Sequence, residues 1–147
     1  SKMPKIENSL VINAPIEKVW AYLDDISNAS KYSESVIEAK KLTDGPTAIG
    51  TKYLYVAKFM GQKMETKGEI TAHAPPHKSA WKGVDSPFPM QGATELESVA
   101  GGTRVTQWVD ATPGGFFKLA EPLLMKQFQS QGDADLTKLK QILEAGG

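Results

Sequence analysis

A chain of 147 residues with 40% hydrophobic and 23% charged side chains can bury the core of one compact domain, expected over residues 3–145, and needs no metal or disulfide to stay folded. Its 17 basic and 17 acidic residues cancel and are spread evenly, without the clustered lysines and arginines that nucleic-acid binding uses. Cysteine is absent, which removes thiolate metal sites, iron–sulfur clusters and cysteine nucleophiles and fits a reducing, cytoplasmic setting; no apolar run reaches the roughly 18 residues of a membrane span.

Residues 5–13 alternate around Ile6, Leu10 and Ile12, the pattern of a strand with one dry face. The period then changes. Pro15 suits a helix start, and Ile16, Val19, Trp20, Leu23 and Ile26 recur at helical spacing for about three turns, followed by a short helix or turn ending near Tyr32. Val36–Leu42 is a candidate strand closed by Thr43-Asp44-Gly45-Pro46. Thr51–Phe59 alternates with Tyr53, Tyr55, Ala57 and Phe59 on one face. Across a reversal at Gly61-Gln62, the strand Lys63–His73 sets Lys63, Glu65, Lys67 and Glu69 against Met64, Thr66, Gly68 and Ile70. One face must be wet and the other dry. Ala74-Pro75-Pro76-His77 breaks the run, and Ser79–Val84, Met90–Ser98 and Thr103–Ala111 continue as strands. After Pro113-Gly114-Gly115 the pattern is helical to the end, with Phe117, Ala120, Leu124 and Phe128 on one stripe and Leu136, Leu139, Ile142 and Leu143 continuing it; Gly132 interrupts the stripe and marks an expected kink. Strands joined by short turns make an antiparallel sheet, so the class is α+β.

Strand parity and the helical stripe together place large or amphipathic side chains on the inside, with small residues such as Gly68, Gly83 and Gly92 among them. Two outcomes follow from that mixture: an interlocked core, or a hollow. If a hollow exists, its wall consists of Tyr53, Tyr55, Phe59, Met64, Thr66, Trp81, Met90, Phe117, Leu124 and Phe128, with Thr94 and Gln107 orienting a polar substituent. Ser79 is also on the inner parity. No catalytic residue is assigned, because no acid or histidine is expected inside unless a bulge turns Asp110 or Glu95 inward. His73 falls on the charged parity and His77 in a turn, so both are expected at the surface; Asp24-Asp25 is expected to be solvated, and Arg104 lies on an outer face. No histidine and carboxylate spacing suggests a metal site. The loop Asp85–Gln91 sets Phe88 between two prolines, as a rigid hairpin cap or as a lid over the mouth of a hollow.

The stretch Val11-Ile12-Asn13-Ala14-Pro15-Ile16-Glu17-Lys18-Val19-Trp20-Ala21-Tyr22-Leu23-Asp24-Asp25 resembles the opening signature of the START-like, or SRPBCC, superfamily of polyketide cyclase/dehydrase and lipid-transport proteins. Tyr32, the Pro75-Pro76 break before Trp81, the Gly101-Gly102 hairpin and the closing Leu136–Glu144 helix follow in that superfamily's order. The resemblance implies a helix-grip fold, a curved sheet of six to seven strands around a long C-terminal helix, with two short helices after the first strand and an apolar cavity between sheet and helix. It does not choose among carriers, receptors and cyclases. The first functional reading is carriage of a small apolar molecule of lipid, polyketide or aromatic type without cofactor, metal or stable membrane insertion. The alternatives are a metal-free cyclase or dehydratase and a protein-interaction module; oligomeric state is left open.

Overall fold

The computed structural model describes residues 5–59, 61–112 and 116–146, the side chains of Phe59, Phe116 and Phe117 excepted. The chain runs β1 (Ile6–Ile12), α1 (Ile16–Asp24), a 3-10 turn (Ile26–Asn28), α2 (Ala29–Tyr32), β2 (Val36–Lys41), β3 (Lys52–Phe59), β4 (Gln62–Ala74), β5 (Lys78–Asp85), β6 (Met90–Val99), β7 (Gly102–Ala111), α3 (Phe116–Leu119) and α4 (Glu121–Glu144). Seven antiparallel strands form one sheet in the order β1-β7-β6-β5-β4-β3-β2. The helix-grip architecture is the one expected: the sheet carries α4 against β1, with α2 at the helix's flank.

Local chemistry sets the elements. Pro15 sits one place earlier than expected, at the N-cap of α1 with an extended backbone, and Asp25 closes the far end by accepting a hydrogen bond of 3.1 Å from the Ser27 amide. Buried Ile16 and Val19 turn one face of α1 onto Ile12, Leu96 and Val105 of the sheet and onto Leu136, Leu139 and Leu143 of α4. A second cluster, Ile6, Phe88, Ala111 and Leu124, packs under the first turns of α4. A third, Ile26, Ala29, Ala39, Tyr53 and Ile70, closes the opposite flank. The helix stripe is apolar at both ends and polar in the middle.

Gly132 does not kink α4, which runs unbroken for 24 residues. It lets the helix approach β1 instead. A Cβ at this position would collide with the Asn8 side chain, whose Cγ lies 2.7 Å from it. Asn8 uses the closeness: its amide donates 2.6 Å to Asp133 Oδ1 and 3.2 Å to the Gln129 carbonyl. This pins the middle of α4 to the sheet and leaves the space beyond it to be filled or left hollow.

Candidate functional site

Sheet and helices border a partly open cavity of about 340 Å3, and the strand parities build much of it. Inward positions of β3 contribute Tyr53, Tyr55 and Ala57; β4 contributes Thr66 and Ile70; β5, Ser79 and Trp81; β6, Met90 and Thr94; β7, Gln107 and Val109, with their neighbours Ala93 and Trp108 also on the lining. Trp20, Leu23 and Asp24 of α1, Ile26, Ala29, Tyr32 and Ser33 in and around α2, Val36, Thr47, and Asp135 of α4 complete it. The small residues opposite large ones do not make the void. Gly68 pairs across the strands with Tyr53 and Gly92 with Trp81; a Cβ on Gly92 would lie 2.7 Å from Trp81 Cζ2, and one on Gly68 would strike the Tyr53 phenol. Each glycine is the slot for a ring, and the hollow lies beyond the rings.

One end of the cavity is polar. Gln131 Nε2 donates 2.7 Å to Asp135 Oδ1, and the Ser33 hydroxyl also bonds to this carboxyl. Burial nevertheless dominates and pushes the Asp135 carboxyl above the ordinary value, with Glu34 adding to the shift against those two hydrogen bonds. Tyr32 hydrogen-bonds Gln107, yet burial followed by the nearby Tyr55 and Asp135 holds its phenol well above its ordinary value. Tyr55 is pushed up to about 12 by burial and then by Asp135, and burial raises Tyr53 as well. The Gln107 amide reaches Thr94 Oγ1 at 3.5 Å. The cluster is a set of neutral donors and acceptors around one carboxyl whose environment favours the protonated form.

Asp135 overturns the expectation that no acid points inward. It stands seven residues after Phe128 and four before Leu139, squarely on the inner stripe of the helix. Glu95 is exposed and hydrogen-bonded to the Trp108 indole at 3.4 Å, and Asp110 is half-buried on β7, outside the cavity wall. His73 is a second correction. The pairing of β4 with β5 slips between Ile70 and Ala72, and this bulge turns His73 off the charged face. Its Nε2 lies 2.8 Å from Asp24 Oδ1, with side chains only 12% and 25% exposed, and its ring centroid is 5.3 Å from that of Trp20. Asp24 is therefore a wall residue with a partner; Asp25 is exposed. His77 and Arg104 are exposed as expected, Arg104 paired with Glu97 at 3.2 Å.

Of the expected wall residues, Tyr53, Tyr55, Thr66, Trp81, Met90, Thr94 and Gln107 meet in this cavity. Met64 and Phe128 line a second cavity of about 170 Å3, together with Ser35, Ala57, Lys58, Thr66, Pro87, Phe88, Met90, Gln127 and Gln131. Leu124 belongs to neither wall: it is fully buried against Ile6, Phe88 and Ala111. Phe88 is 5% exposed and packs on Phe128 with ring centroids 6.3 Å apart, so the proline loop anchors an aromatic in the interior. The expectations for Phe59 and Phe117 fall on side chains outside those described. Trp20, Asp24, Tyr32, Ser33, Trp108 and Asp135 are among the wall residues that were not expected there. Among the described residues no group of His, Asp and Glu converges as a metal site, and no described helix is long and apolar enough to cross a membrane.

A family model described as polyketide cyclase / dehydrase and lipid transport matches residues 3–144. Among solved structures, a protein from Thermus thermophilus superposes with a TM-score of 0.84 at 21% identity, covering 98% of this chain and 99% of its own. The Zhui aromatase/cyclase of a Streptomyces species gives 0.82 at 16% identity, covering 97% and 94%. The di-domain ARO/CYC protein StfQ from the steffimycin biosynthetic pathway gives 0.79 at 14%, covering 97% of this chain and 52% of its own. No curated protein matches the sequence.

Proposed function

The chain belongs to the polyketide cyclase/dehydrase and lipid-transport family, and from that premise we propose that it binds a small, mainly apolar molecule carrying hydroxyl or carbonyl oxygens in the cavity between sheet and helix. The observation that carries this reading is the cavity's asymmetry. Its volume of about 340 Å3 lies near the lower end of the roughly 300–1,000 Å3 usual for small-molecule sites. Trp20, Trp81, Ile70 and Met90 offer apolar and ring contacts, while Tyr32, Tyr55, Gln107 and Asp135 gather at one end. Apolar walls supply affinity at about 25 cal/mol per Å2 buried; the polar cluster fixes orientation by hydrogen bonds to oxygen atoms, and its buried carboxyl disfavours a bare anion.

Trp20 and Trp81 both border the cavity and serve as reporters. Titration with 2-naphthol is expected to quench tryptophan fluorescence saturably, with weaker binding in Trp81→Ala and with 2-naphthol preferred over naphthalene. If no member of a panel of hydroxylated bicyclic aromatics saturates, and Trp81→Ala behaves like the parent, the binding reading fails.

Asp135 favours a second reading, acid-assisted dehydration. A protonated carboxyl can give its proton to a leaving hydroxyl while the Cα–H proton beside a carbonyl passes to the resulting carboxylate; the C–O and C–H bonds break, a C=C bond forms and water departs. The test is formation of enone absorbance from a β-hydroxyketone probe. Loss of turnover in Asp135→Asn with retention in the exposed control Asp133→Asn supports it; equal turnover in both variants rules it out.

A further inference from the structure

The two cavities share Ala57, Thr66 and Met90, so they are adjoining chambers with a common wall. Ala57 stands directly across the strands from Met64, so the shared wall and the lining of the second cavity meet at β3 and β4. The first chamber holds the polar cluster. The second, half its volume at about 170 Å3, is walled mainly by apolar residues, Met64, Phe88, Met90 and Phe128 among them, with Ser35, Gln127 and Gln131 also on its lining. At its rim is Lys58, exposed and paired directly across the strands with Lys63, also exposed. Among the described residues neither lysine makes a salt bridge. Like charges in direct cross-strand register are destabilising, and a bound anion offsets that repulsion.

Resting on the cavity-binding reading above, we infer that the ligand is bipartite: an oxygen-bearing ring portion in the first chamber, an apolar chain passing Ala57 and Met90 into the second, and an anionic terminus at Lys58. Each buried methylene then adds affinity, by as much as about fourfold before chain ordering is subtracted. The acid at the chain end contributes a smaller, salt-sensitive preference.

The test uses 2-naphthol, 6-pentyl-2-naphthol and the corresponding chain ending in a carboxylate or its methyl ester, each titrated against the full chain. The pentyl compound is expected to bind at least tenfold more tightly than 2-naphthol. In Met64→Trp, which fills the second chamber, and in Ala57→Leu, which narrows the passage, the ratio between the two falls below threefold. Reading a ratio within each variant removes any general loss of affinity, and a thermal melt confirms folding. The carboxylate is expected to bind about threefold more tightly than its ester at low salt, a preference lost in Lys58→Gln. Saturable 2-naphthol binding without gain from the pentyl chain overturns the bipartite ligand and leaves the cavity reading standing, whereas absence of saturable binding by every probe overturns both. A chain-length gain that persists in both filling variants also overturns the second chamber's role, and equal affinity for acid and ester overturns the anionic end.

Discussion

Asp135 shows how a single side chain can be costly to the fold and useful to the site. Its carboxyl is raised by burial, so between the ordinary carboxyl value near 3.8 and the raised one the folded chain holds a proton that the unfolded chain has released. The sign follows from linkage: the group's contribution to stability is greatest below its unfolded pKa and is lost as pH rises through the folded one. Asp135→Asn keeps an acceptor for Gln131 without the charge. It is expected to raise Tm at pH 7 by about 2–4 °C and to give no gain below about pH 3.5, measured by thermal melts across pH. A gain independent of pH contradicts the ionisation account. The residue was legible in principle from its position on the helix stripe; a stripe is expected to be apolar where the core is filled, and here the helix borders space.

At the scale of elements, the strands and the long helix follow directly from period and punctuation: each strand lies within one residue of its expected bounds, because alternation, Gly-Gly and Pro-Pro signals agree along the chain. Two local features escape that reading since each depends on a partner distant in sequence. The first is Gly132, whose purpose is visible only once Asn8 lies beneath it. Helix propensity favours Gly132→Ala by about 1 kcal/mol, but overpacking costs about 1–3 kcal/mol and displacement of Asn8 from two hydrogen bonds about 0.5–1.5 kcal/mol each. The net expectation is a loss of about 1–5 kcal/mol in urea unfolding; a stabilised variant contradicts the close approach.

The second is the bulge in β4. A bulge inverts every later parity, and nothing in Gly68-Glu69-Ile70-Thr71-Ala72-His73 announces it. Thr71 is the extra residue between the paired positions Ile70 and Ala72. Deleting it removes the bulge and keeps Ala72 opposite Ala80 and His73 opposite Ser79, so His73 stays on the inner face with its 2.8 Å contact to Asp24. The His73 ring signals in NMR are therefore expected to keep the parent's buried environment after the deletion. Movement of those signals to solvent-exposed positions contradicts the assignment of Thr71 as the bulge residue.

Over the whole molecule, the apolar fraction of the sequence is divided between packing and walls. Leu124, fully buried in contact with Ile6, Phe88 and Ala111, belongs to the first kind: Leu124→Ala leaves a hole in a filled cluster and is expected to cost about 2–5 kcal/mol. Tyr55 belongs to the second, a ring on the cavity wall whose hydroxyl sits in the field of Asp135. A core selected only for stability has no reason to gather Tyr32, Tyr55, Gln107 and Asp135 in a hollow, since polar groups removed from water are favourable only when their partners are complete. The opposition between stability and binding is therefore testable at one atom. Tyr55→Phe removes the hydroxyl and keeps the ring; it is expected to leave Tm unchanged or raise it by a few degrees. The same change is expected to weaken 2-naphthol by about two- to tenfold while leaving naphthalene within twofold. Equal losses for both probes place the Tyr55 contribution in its ring and not in its hydroxyl, and a large fall in Tm means that the polar cluster supports the fold directly.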